Sequence, residues 1–251
     1  MEAYVKAECH RGIATLEFFH PKSNSLPSSL LKELTREVKA AAVNEEVKVI
    51  LLRSAGDKAF CAGASFDELS GIKDEAAAVS FFSGFAHLIN AMRTCPKFIV
   101  ARIQGKCVGG GVGLAAAADM AIASTAADVK LSELAIGIGP FVVGPVVERK
   151  TGVSAFTELA MDARQWRTAS WAHAKGLFHS VHEAPDTLES KVYQLLADLS
   201  QSGSSAMAEL KKACWSGTEH WDQLLLERAG ISGRLLLQPE AQAAIAAIQR
   251  S

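Results

Sequence analysis

Apolar and polar positions along the chain alternate in two distinct periods. Residues 4–8 and 13–19 are short apolar-alternating runs bracketing His10-Arg11-Gly12, and they predict a hairpin. A loop with Pro, Ser and Asn follows at 20–27. From Ser28 or Ser29 the spacing turns helical, with Leu30, Leu34, Val38 and Ala41 or Ala42 on one stripe. The nearly continuous apolar run at 47–52, VKVILL, predicts a strand covered on both faces. Residues 75–94 predict a long helix with Val79, Phe82, Phe85, Ile89 and Met92 facing inward, and Pro96 ends it. Strands are predicted at 97–103 and 120–123 with a small-residue helix, 112–118, between them, and a short strand follows at 129–131. Short helices at 142–150, 154–162 and 169–176 precede a last strand at 178–182. Strand–helix–strand order predicts right-handed crossovers and a parallel sheet, hence an α/β class.

Beyond Pro185 the pattern is purely helical: 187–200, 205–215, 221–237 and 239–250. That change predicts a boundary between a mixed core, 1–185, and a helical C-terminal region, 186–251. The chain shows no internal repeat, and SQSGSS at 200–205 reads as a helix–helix loop.

The segment at 105–124, GKCVGGGVGLAAAADMAIAS, carries the strongest local signal. Gly109, Gly110 and Gly111 fall where a strand gives way to a helix. The first N–H groups of a helix have no partner in the helix, and its dipole favours negative charge there. Glycine leaves room for a ligand to approach that backbone. The same pattern also suits a tight turn packing a small-residue helix on a sheet, and on these residues alone both readings stand.

Composition narrows the picture. The chain has 251 residues, 49% hydrophobic and 21% charged, with net charge -1. That is the composition of a soluble globular protein, and its balance of charge argues against a broad nucleic-acid footprint. Five cysteines, Cys9, Cys61, Cys95, Cys107 and Cys214, are odd in number, scattered and free of CxxC spacing. They read as reduced thiols in a cytoplasmic protein. The N-terminal MEAYVKAECH has no apolar signal core, and no run is long enough to span a bilayer, so no membrane association is expected.

Three stretches taken together resemble the crotonase (enoyl-CoA hydratase/isomerase) family: Phe60-Cys61-Ala62-Gly63-Ala64, Gly105-Lys106-Cys107-Val108-Gly109-Gly110-Gly111, and Glu133-Leu134-Ala135-Ile136-Gly137 leading to Pro140. The resemblance implies a spiral of ββα units with a helical C-terminal region for trimerisation, as a homotrimer or a dimer of trimers. It implies an acyl-CoA thioester substrate, with no separate cofactor because coenzyme A is part of that substrate, and no metal. Matched residue by residue, the N–H groups of Ala64 and Gly110 would hold the thioester oxygen. Pro21, Lys22, Ser23 and Asn24, with Ala62, Ala64, Ser65 and Phe66, would hold the coenzyme A portion. Where many relatives have Ala-Asp-Ile-Lys, this chain has Ala64-Ser65-Phe66-Asp67 and lacks that lysine.

The chemistry asked of such a site is enolate formation. Two donors preorganised at the thioester oxygen stabilise the charge as it appears, one such donor being worth roughly 2.7–4 kcal/mol. A partly buried carboxylate with a raised pKa can then move protons. The resemblance implies two glutamates in typical hydratases; the first position is Gly113 here, so Glu133 alone remains. One base suffices to shift a double bond, and this pattern together with Pro140-Phe141 resembles the Δ3,Δ2-enoyl-CoA isomerases more than the hydratases. A hydratase with a substitute acid or water, and a weakly active acyl-CoA-binding scaffold, are the competing readings. Asp67 or Glu68 is the candidate second acid. Cys61 reads as a packing residue, His179 and His182 as solvated histidines, and Trp215 and Trp221 as packing or interface residues. No G-x-S-x-G elbow supports a serine hydrolase around Ser23, Ser65 or Ser132.

Overall fold

The structure, a computed structural model, describes residues 2–249. Strands β1 (Tyr4–His10) and β2 (Ile13–Phe19) form the expected hairpin, with Arg11 and Gly12 both at positive φ in its turn. Helix α1 (Ser28–Val43) leads to β3 (Val49–Ser54). Then come β4 (Ala59–Cys61), α2 (Phe66–Gly71) and α3 (Glu75–Thr94). The next unit is β5 (Phe98–Ile103), β6 (Lys106–Val108) and α4 (Gly110–Ala117). A third runs β7 (Met120–Ser124), β8 (Val129–Lys130), a 3₁₀ turn (Leu134–Ile136) and α5 (Gly144–Met161). The chain continues with α6 (Ala169–Ala174), β9 (Ser180–His182), α7 (Pro185–Ser200), α8 (Ser204–Cys214), α9 (Trp221–Leu236) and α10 (Pro239–Gln249). Of the helix predicted at 239–250, Arg250 lies outside the described residues.

The large sheet has the order β1-β2-β3-β5-β7-β9 and is parallel from β2 onward. Its two faces explain the continuous apolar run at 47–52. In β3, Ile50 and Leu52 enter the main core, whereas Val49 and Leu51 point to a second core with Val100, Ile122 and α7 residues Leu188, Val192 and Leu196. Strand residues alternate between faces, so a sheet covered on both sides needs apolar residues at every position.

A second, three-stranded parallel sheet has the order β4-β6-β8. The sequence pattern did not predict β4 or β6 as separate strands, and it ran the glycine turn directly from the strand at 97–103. In the structure β6 intervenes. Each of these strands has only three residues, too few to show a period. Gly105 lets the two strands approach closely: a Cβ there would lie 2.8 Å from the Lys58 carbonyl carbon. Each large-sheet strand β3, β5 and β7 is thus followed by a small-sheet strand and then a helix, the repeated ββα spiral.

Helix ends follow their side chains. Asp74 accepts from Ala77 N at the start of α3, and Ser65 Oγ accepts from Glu68 N at the start of α2. Gly152, at φ 78 and ψ 159, breaks α5 into the two helices expected at 142–150 and 154–162. The helices after Pro185 fold back on the chain: α7 covers the sheet, and Trp221, Leu225, Ala229 and Leu236 of α9 enter the main core. Trp215 and Trp221 meet edge to face at 6.1 Å between centroids.

Candidate active site

The three strands of the small sheet are parallel, so their C-terminal ends emerge at one edge. After β4 comes Ala62-Gly63-Ala64; after β6 comes Gly109-Gly110-Gly111; after β8 comes Ser132-Glu133. All three segments line one cavity, with an empty volume of about 570 Å3 that opens partly to solvent. Its other walls are mostly apolar, among them Phe66, Phe82, Phe85, Phe141 and Val143.

The first two loops are pressed together. Gly63 has φ +83, and a Cβ on it would lie 2.7 Å from Val108 O and 3.2 Å from Gly110 N. Most backbone donors here are already engaged. Ala62 N donates to Ser23 O, Ser65 N to Leu26 O, and Gly109 N to Lys130 O. Among the described residues the N–H groups of Ala64 and Gly110 have no acceptor, and both residues line the cavity. Gly110 opens α4, so its amide also carries the positive end of the helix dipole. The Phe85 ring of α3 packs where a Gly110 side chain would stand.

Glu133 sits at the start of the 3₁₀ turn, whose N–H groups from Ile136 and Ile138 donate to its backbone carbonyl. The residue keeps some exposure, but Oε2 is buried and without a hydrogen-bond partner. Burial raises the Glu133 carboxyl to about 7, opposed only by a hydrogen bond from its own backbone. A carboxyl titrating there is half ionised at neutral pH and can both take and give a proton.

Val143 fills the space beside Gly113. A Cβ on Gly113 would overlap Val143 Cγ1 and lie 2.8 Å from Val143 Cβ. Gly113 itself is buried and does not line the cavity, whereas Val143 does. The sequence drew attention to the missing carboxylate at Gly113 but gave no sign that a valine thirty positions on takes its place.

The other expected site residues are distributed differently. Ala62 and Phe66 line the cavity, as Ala64 and Gly110 do; Lys22, Ser23, Asn24 and Ser65 do not. Asn24 is buried, donates to Ala55 O and Ala59 O, and accepts from His20 N, so its side chain holds the loop together. Ser23 and Asn24 both have positive φ. Lys22 is exposed and paired with Asp67 at 2.7 Å. Glu68 accepts from Ser28 N at 2.7 Å at the start of α1. Neither Asp67 nor Glu68 lines the cavity, so neither is placed as a second acid. Burial pushes the Cys61 thiol up to about 12, which removes it as a nucleophile. His179 accepts from Ala121 N and His182 contacts Ser180 Oγ. Among the described residues no group of three or more His, Cys, Asp or Glu could hold a metal ion, and no helix is long and apolar enough to cross a membrane.

Residues 8–231 match the family model described as enoyl-CoA hydratase/isomerase. The chain is 32% identical over 214 residues to YngF of Bacillus subtilis (strain 168), a protein named for the same family, covering 84% of this chain and 80% of YngF. It is 31% identical over 217 residues to human mitochondrial methylglutaconyl-CoA hydratase, covering 84% of this chain and 63% of that protein. The crystal structure of an enoyl-CoA hydratase from Bacillus halodurans superposes with a TM-score of 0.90 at 23% identity, covering 97% of this chain and 99% of that one, a likeness of fold.

Proposed function

The chain belongs to the enoyl-CoA hydratase/isomerase family, and from that premise we propose that it shifts the double bond of an enoyl-CoA thioester, with Glu133 as the single proton carrier. The reading is carried by one observation: Glu133 is the only carboxylate lining the cavity among the described residues, and Val143 stands where a carboxylate from position 113 would emerge.

In this proposal the thioester oxygen of a 3-enoyl-CoA lies between the N–H groups of Ala64 and Gly110. Ionised Glu133 removes a proton from the carbon next to the carbonyl. The electron pair of the broken C–H bond enters the conjugated system, and negative charge gathers on the oxygen facing the two donors. Protonated Glu133 then returns the proton two carbons farther along, leaving a 2-enoyl-CoA and the carboxylate restored. The near-neutral titration of Glu133 suits both halves. Lys22, which is exposed, is the residue we expect to meet the coenzyme A phosphates, exchanging Asp67 for them.

The names of the relatives favour a second reading, hydration, in which Glu133 alone both activates water and delivers the proton. Incubation with a 3-enoyl-CoA and, separately, a 2-enoyl-CoA decides between them. Migration of the double bond in the first with no water added to the second supports the proposal. Rapid hydration of the 2-enoyl ester without migration overturns it.

The assembly implied by the resemblance, a trimer or a dimer of trimers, is likewise a proposal. Because α7 and α9 bury their apolar stripes within their own chain, its contacts would draw on side chains the C-terminal helices leave exposed, such as Leu210 and Leu226.

A further inference from the structure

The cavity wall contributed by α9 holds a polar group that the proton chemistry does not use. Ser232 is 2% exposed and lines the cavity. Buried serines in helices commonly bond back to a carbonyl one turn earlier. Ser232 does not: among the described residues its hydroxyl has no hydrogen-bond partner. Unlike Glu133 Oε2, that hydroxyl is not wholly sealed off. Its position is set by close packing of α9 on α3, since a Cβ on the adjacent Gly233 would lie 2.9 Å from Val79 Cγ2 and 3.0 Å from Val79 N. The cavity it lines is mostly aromatic and aliphatic, with Phe82 and Phe85 of α3 and Leu69 of α2 among its walls.

A lone hydroxyl among apolar side chains costs free energy unless something bonds to it, and ligand sites use such groups to fix orientation. We propose that Ser232 is a specificity-determining residue that receives an uncharged oxygen, a hydroxyl or a ketone, on the acyl chain beyond the reacting carbons. The substrate class is then an oxygenated enoyl-CoA and not a plain hydrocarbon chain. A carboxylate at that place is disfavoured, because among the described residues no Lys, Arg or His lines the cavity and Glu133 does. The inference rests on the acyl-CoA reading of the site given above.

Binding to unreactive esters tests it separately from turnover. Calorimetry would compare hexanoyl-CoA with hexanoyl-CoA carrying a hydroxyl or keto oxygen at each carbon beyond the β-carbon, and with the ester bearing a terminal carboxylate. The wild type should bind one oxygenated ester about 10-fold more tightly than hexanoyl-CoA, and the carboxylate least well. Ser232→Ala should bring the ratio to about one, and Ser232→Thr should keep it. Equal affinities in the wild type, or a preference that survives Ser232→Ala, overturns the role of Ser232; if Glu133-dependent isomerisation of a plain 3-enoyl-CoA persists, the function proposal stands without it. Failure of every thioester to bind overturns both.

Discussion

The carboxylate of Glu133 rests against the bare α-carbon of Gly109: a Cβ there would lie 2.9 Å from Oε1 and 3.3 Å from Cδ. Gly109 also turns the chain from β6 into α4 at φ 51 and ψ -114, a conformation that side-chain-bearing residues rarely adopt. One glycine therefore serves both the turn and the seat of the Glu133 carboxylate. Gly109→Ala should lower kcat by about 10²-fold, as displacement of a reacting group by about 1 Å does, and lower stability by roughly 1–3 kcal/mol. Steady-state kinetics beside urea denaturation would check both. A folded variant with wild-type kcat would show that the apposition has no catalytic consequence.

Replacing Glu133 isolates the charge of its carboxylate. Glu133→Gln should reduce turnover by about 10²-fold or more while leaving binding of a saturated acyl-CoA within a few fold. In the wild type, kcat/KM for isomerisation should climb with pH and level off above an apparent pKa of about 7, since the ionised form takes the first proton.

The same group makes stability depend on pH. The folded carboxyl holds its proton up to about 7, against the 4.5 ordinary for a solvated glutamate. Between those values the native state binds more proton than the unfolded one, so stability falls as pH rises through that window. The full penalty, ~3 kcal/mol from the size of the shift, is present above the folded pKa. Glu133→Gln should match the wild type near pH 4 and exceed it near pH 8. Urea denaturation at both pH values reads this, and parallel curves would mean that burial does not hold the carboxyl up.

At Gly113 the steric conflict comes before the chemistry. Gly113→Glu alone should unfold the local helix contact or expel Val143, at a cost of roughly 1–3 kcal/mol. Val143→Ala beside it should recover part of that loss, a non-additivity expected of touching residues. In the double variant the added carboxylate has a path to the cavity, so hydration of a 2-enoyl-CoA should rise relative to double-bond migration. A folded double variant with the wild-type product ratio would show that position 113 does not set the reaction.

Most of the fold was legible because its elements are long or their environment uniform. The stripe on α1 and the apolar run of β3 each follow from one burial pattern, and the break at Gly152 follows from a glycine between two helical patterns. Three of the residues singled out from the sequence, Ala64, Gly110 and Glu133, line one cavity, because each follows a small-sheet strand within a few residues. What escaped depends on contacts between distant residues. Val143 gains meaning only opposite Gly113, and Ser232 only once α9 packs on α3. Asn24 shows the reverse case, a loop residue expected to meet ligand whose amide is fully engaged inside the chain.

Helix α8 is anchored by a buried cation. Lys211 is 1% exposed, and its Nζ donates to Met92 O at 2.9 Å and Lys97 O at 2.8 Å and pairs with Asp119 Oδ2 at 2.8 Å. Lys211→Met should cost about 3–5 kcal/mol, because it leaves Asp119 charged and buried without its cation. Thermal unfolding would measure it. A loss below about 1 kcal/mol would show that water or Trp215, which donates to Asp119 Oδ1 at 2.8 Å, compensates.

The small sheet has a consequence for how such a protein can diverge. Neighbouring strands in any sheet are held about 4.8 Å apart by their hydrogen bonds. The spacing of the loops that carry Ala64, Gly110 and Glu133 is therefore set by the backbone repeat, indifferent to the side chains that decorate it. Helices can drift and the apolar walls can be rewritten while the spacing of these three loops stays fixed. Insertions at the far ends of β4, β6 and β8 are tolerable on the same grounds, and a single residue added at their cavity ends is not.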